Sequence, residues 1–219
     1  MKTEDLIHQL EGELRPVQRL LPPWRRAAIW LACGVMYVAG VATVAWVRRG
    51  ALGVESDALY LLQQAALALT GVLAALAAFA SVIPGTTNRA RSALVAPIGL
   101  MIAVLLWGTV RDLQQFGTVG IGRETDWPCV VSITFGGLAL WGLAGAMLRR
   151  GAVLEPRLTA VLAGVAAVSL ANVEACVSRV HAFTATVIVW HGATAALVMI
   201  GFMALGPWVL RRLREEPQV

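Results

Sequence analysis

Six apolar runs of close to bilayer length, separated by short polar gaps, decide what this chain can become: Ala27–Val47, Leu59–Ile83, Ala93–Val110, Cys129–Leu148, Leu158–Cys176 and Phe183–Leu205. A helix that crosses a bilayer needs about 20 mostly apolar residues, since hydrocarbon tolerates only backbone that satisfies its own hydrogen bonds. Charged residues make up just 14% of the chain, against about 25% in a soluble domain. The expected fold is therefore an all-α integral membrane protein. A polar stem over 1–26 holds a short cytosolic N-terminal amphipathic helix, a six-transmembrane-helix bundle fills 27–210, and a cytosolic tail covers 211–219. The gaps leave no room for a second folded domain. The first run is expected to be retained, because it is as long as a full crossing and lacks a small-residue cleavage site.

Cationic residues set the orientation. With the N-terminus inside, only Arg48, Arg49, Arg111, Arg123 and Arg179 of the 18 Lys and Arg fall on the opposite side. Positive charge collects in cytosolic loops, so both termini are expected to be cytosolic, with Arg48–Arg49 as the dissenting pair. The net charge of +5 thus reports topology, and direct nucleic-acid binding is not expected.

The stem offers a soluble partner a foldable surface. Leu6, Ile7, Leu10 and Leu14 share one helical face, with Glu4, Gln9, Glu11 and Glu13 off it. Thr3 can cap the helix, and Glu4 and Asp5 suit its first turn. Pro16 disfavours continuation; Val17, Leu20 and Leu21 extend the apolar surface to Pro22–Pro23, Trp24 and the Arg25–Arg26 anchor. A helix below about 12–15 residues is marginal alone in water, so this one must dock, either on the bilayer surface or in a partner's groove. Its acids are unlike the Lys and Arg of interfacial helices, which favours the groove.

The spans are rich in small residues, such as Gly71, Ala74, Gly164 and Ala167, that let helix backbones approach closely. Pro207 is placed to end or kink the last helix before Arg211–Arg212. Cys33 reads as packing. Cys129 opens the fourth span and Cys176 closes the fifth, so the expected topology brings both to the outer face, near Asp126, Glu174 and His181; His191 lies deeper in the last span. Two thiols and an imidazole suit copper, zinc or cadmium-like ions; two thiols alone suit a disulfide; and each cysteine also makes a small buried hydrophobe. Glu174, two residues from Cys176, is expected to point elsewhere on a continuous helix.

Nothing in the chain supports catalysis: it holds no Walker loop, dinucleotide fingerprint, HExxH or nucleophile elbow. A membrane thiol oxidoreductase using the outer cysteines would need a CxxC or a second pair, and a small metal transporter would need buried charges. Both remain as alternatives.

The order of these features resembles the NrsF-type membrane anti-sigma factors of proteobacteria. The resemblance is carried by Leu6-Ile7 with Leu10, Pro16-Val17 and Leu20, Pro22-Pro23 and Arg25-Arg26. It continues in Cys129, LRRGAVLEP (148–156), Cys176, Phe183, Trp190-His191 and GPWVLRR (206–212). It implies an inner-membrane inhibitor that holds an ECF-type sigma factor until stress releases it. It would map sigma binding onto Leu6, Ile7, Leu10, Leu14, Pro16 and Val17, and metal or oxidant sensing onto Cys129 and Cys176. The family often has a histidine beside the second cysteine. Here the nearest is His181, with His191 further on, so the ligand set and the inducer stay open, as does the oligomeric state.

Overall fold

The computed structural model describes residues 21–50, 57–83, 92, 94–117, 127–149, 151, 153, 155–178 and 188–215. The expected stem residues Leu6, Ile7, Leu10, Leu14, Pro16 and Val17 lie outside these, and so does His181. The described residues form α1 (Pro23–Arg49), α2 (Ala58–Ala80), α3 (Val95–Phe116), α4 (Trp127–Leu148), α5 (Pro156–Val177) and α6 (Ala193–Glu215), the last entered through a π-helical turn at Ile188–Gly192. Among the described residues six helices are long and apolar enough to cross a membrane, as expected. Pro23 and Pro156 start α1 and α5, where a missing N–H costs nothing.

Of the two outcomes expected at Pro207, an end or a kink, the end is not seen: α6 runs through it to Glu215. Membrane helices tolerate an internal proline when neighbouring groups resatisfy the freed backbone. Here the preceding Gly206 lies directly against Ala160 of α5, and a Cβ at that position would come within 3.4 Å of Trp141 of α4.

α5 is the axis of the bundle, packing against α1, α2, α4 and α6, with α3 laid against α2. Its alanine and glycine faces permit this, since without a hydrophobic effect between helices in lipid, small residues let backbones close up. Gly71 of α2 backs onto Ser169 and Ala166, and Gly164 onto Phe202 and Met199 of α6. Two indoles staple the layers. Trp30, fully buried, donates Nε1–H to the Leu140 carbonyl at 3.0 Å, tying α1 to α4. Trp141 donates to the Ala160 carbonyl at 3.2 Å and stacks on Phe202, ring centroids 4.5 Å apart.

The bundle has two ends, and each is tied by polar contacts. At the end where residues 1–22 join, Ser81 and Thr159 hydroxyls meet at 2.9 Å between α2 and α5. Arg26, expected with Arg25 as a headgroup anchor, instead turns inward and is buried. Its guanidinium donates to the Met147 carbonyl at 2.5 Å and lies 5.1 Å over the Phe79 ring, so it clasps the ends of α4 and α2. A cation at the last carbonyls of α4 also complements the helix dipole. Arg25 stays outside, over Trp24. At the far end Arg111 pairs with Asp57 at 2.9 Å, joining α3 to α2.

Candidate functional site

α1 buries a stripe of Arg26, Trp30 and Gly34, which leaves Cys33 on its exposed face. That corrects the expectation that Cys33 packs inside: it is one position off the buried stripe. The other two cysteines are buried at the far end of the bundle.

Cys129 lies in the first turn of α4, packed with Ile133 and with Ala175, the α5 residue immediately before Cys176. Cys176, in the last turn of α5, places its Sγ 3.9 Å from Nδ1 of His191, the outer limit of a sulfur hydrogen bond. The π-helical turn at the head of α6 carries His191, and only 3% of that residue is exposed. Such single-turn widenings recur at functional sites, because the extra residue re-aims a side chain. Trp190, beside it, meets Trp127 of α4 at 6.3 Å between ring centroids. Tyr60 of α2 donates to the Cys176 carbonyl at 3.4 Å. α2, α4, α5 and α6 therefore all reach the surroundings of the two thiols.

Of the expected site residues, Cys176 and His191 are brought together, and Cys129 is set on the neighbouring turn. None of the three cysteines is in a disulfide. Among the described residues, no three His, Cys, Asp or Glu side chains gather as a group fit to hold a metal ion. Thiol and imidazole at Cys176–His191 are two ligands of the soft or borderline kind, short of the four of a closed structural site.

The site also contains an acid that sequence reasoning placed nearby but left without a role. Glu174 does point away from Cys176, and it is buried to 1% exposure. Three hydroxyls donate to its carboxyl group: Ser178, one turn on, at 2.8 Å to Oε1; Ser132 of α4 to Oε2; and Tyr37 of α1 at 3.4 Å to Oε2. Gly136, four residues after Ser132, makes room for this. A Cβ there would overlap the Tyr37 hydroxyl. Ser132 is in turn three residues from Cys129, on the same helical face. Arg49 closes the arrangement by donating to the Ser178 carbonyl at 2.6 Å, which gives one member of the dissenting Arg48–Arg49 pair a structural task.

The signal for this network was present in part. An acid inside an apolar span is a functional hypothesis by default, and Glu174 is the acid within the fifth run. Its donors could not be read, because Tyr37 and Ser132 lie 137 and 42 residues away along the chain. Chemically, the far end offers two buried thiols, an imidazole and a hydrogen-bonded carboxyl at the junction of five helices.

Comparison with known proteins adds one finding. A family model described as NrsF, negative regulator of sigma F, matches residues 10–212. No curated protein and no solved structure matches the chain.

Proposed function

The chain belongs to the NrsF family of negative regulators of sigma F, and on that premise we propose that it is an inner-membrane anti-sigma factor that sequesters an ECF-type sigma factor and is not an enzyme. Both termini are cytosolic in this reading. The stem, through Leu6, Ile7, Leu10, Leu14, Pro16 and Val17, grips the sigma factor in a groove as an amphipathic helix.

The signal enters at the opposite end. The observation that carries this part of the reading is that Cys176 meets His191 while Cys129 packs against the adjacent Ala175, all buried at the end of the bundle opposite Pro23. Two chemistries suit them. A soft or borderline metal ion (copper, zinc or cadmium) would bind the thiolates with His191, displacing two thiol protons; His181 would be an added ligand. Alternatively, an external two-electron oxidant would join the two sulfurs, taking two electrons and two protons from the thiols. Reversal by a chelator or by a dithiol reductant separates these triggers.

Either event favours an arrangement of α4 and α5 different from the resting one, and a signal shifts the protein only by its differential affinity for the two. α4 carries the change along the bundle, for it begins beside Cys129 and ends at the Met147 carbonyl that Arg26 clasps. Arg26 lies three residues into α1, where the stem joins. A coupling of about 1–3 kcal/mol changes partner affinity roughly 5- to 150-fold, enough to release a sigma factor.

Cys129→Ser and Cys176→Ser variants, assayed by induction of the sigma regulon, test the sensing step. Repression without inducer is expected to persist while induction is lost in both. Unchanged induction by metals and oxidants alike would remove the thiols from the mechanism.

A further inference from the structure

Between α3 and α6, floored by α2 and α5, lies a cavity of about 250 Å³. Its floor residues Thr70, Val168, Ser169 and Asn172 are buried, while the wall residues Met101, Leu105, Ala195 and Met199 are half-buried. The cavity therefore gives sideways, through its α3 and α6 walls, onto the apolar flank of the bundle, where Leu106, Trp107 and Leu197 are exposed. That flank gives a molecule dissolved in the bilayer a route in.

The lining is graded along the bundle. Val165, Ile98 and Met199 close the part towards the stem; Thr70 and Ser169 lie midway; Gln63, Asn172, Cys176 and His191 gather towards the far end. None of the lining residues is Asp, Glu, Lys or Arg. Pockets of this kind, apolar with a few convergent polar groups, are the usual form of small-molecule sites. Their chemistry selects the occupant. A fatty acid or phospholipid would bring an anionic head with no cation to meet it, and unpaired charge in an apolar site is strongly disfavoured. A neutral head with hydrogen-bond acceptors fits, because the Gln63 and Asn172 amides carry N–H donors, Asn172 spending one of its two on the Val168 carbonyl at 2.8 Å, and the Cys176–His191 pair adds a polar thiol and imidazole beside them. The volume accommodates one substituted ring, with any chain leaving through the open side.

We propose that this cavity binds a neutral, bilayer-dissolved carbonyl compound of the quinone class, with its ring held at the far end against Cys176 and His191. Binding here is non-covalent and stands independently of the sigma-factor reading. It also gives bilayer-borne molecules access to a thiol that is shut off from water.

The test uses the full-length protein in detergent micelles, titrated calorimetrically with ubiquinone-1, a fully ring-substituted quinone carrying one isoprene unit. Saturable one-to-one binding is expected. It is expected to weaken at least tenfold in Ala195→Phe and in Leu105→Trp, which fill the cavity from opposite walls. Circular dichroism and elution volume check that each variant folds; should one fail, the other decides together with competition by oleate. Uptake that rises linearly without saturation, or binding undiminished in the folded variants, would overturn the proposal. So would displacement by oleate at equal concentration, which would make the cavity a generic lipid crevice.

Discussion

Glu174 is where three helices meet through one side chain, and its replacement separates a structural acid from a bystander. Glu174→Leu deprives Tyr37, Ser132 and Ser178 of their shared acceptor. A buried donor left without a partner costs about 1–3 kcal/mol, though interhelical hydrogen bonds in membrane proteins average about 0.6 kcal/mol because alternative partners are found. The expected loss is about 1–3 kcal/mol in SDS-driven unfolding from mixed micelles. Gly136→Val should lose about the same by overpacking against Tyr37. Combining Glu174→Leu with Gly136→Val should cost less than the two singles added, since both break the same contact. Full additivity would mean that Tyr37 and Glu174 do not act together. The acid was legible in the sequence because a carboxyl in an apolar run stands out. Its donors were not, because hydroxyls are common in spans and their meeting depends on which helices pack together.

At the scale of elements, the six helices were legible because bilayer length and hydrocarbon chemistry leave a backbone little choice. Their neighbours were harder to read. α2, α4 and α5 all present small residues, and nothing in those patterns singles out α5 as the axis. The π-helical turn that sets His191 beside Cys176 was equally hidden, since no residue type marks it. Arg26 shows the converse. Beside Arg25 it reads as one more flanking cation, yet it is buried in a clasp on Met147 and Phe79. If that clasp couples the bundle to the stem, Arg26→Leu should leave sigma binding in resting membranes within about twofold of the parent. Inducer-driven release should meanwhile shrink towards the low end of an allosteric range of roughly 5- to 150-fold. Retention of sigma on membranes, with and without inducer, measures both. Undiminished release would place the coupling elsewhere.

For the whole molecule, the account describes a protein with work at its two ends and packing between them. The far end holds buried thiols, an imidazole and a hydrogen-bonded carboxyl; the near end, at Pro23, is where the proposed sigma-binding stem joins. The family match spans both, running from residue 10 to 212. What binds the stem is the central claim, and one measurement addresses it most directly. The full-length protein in detergent, its Leu10→Asp/Leu14→Asp variant and a form lacking residues 1–20 are each titrated with the purified ECF-type sigma factor. The account predicts saturable binding to the parent and at least a hundredfold loss in both altered forms, with the bundle's helical content unchanged. Equal binding by all three would contradict it, and would move the sigma contact from the stem to the bundle itself.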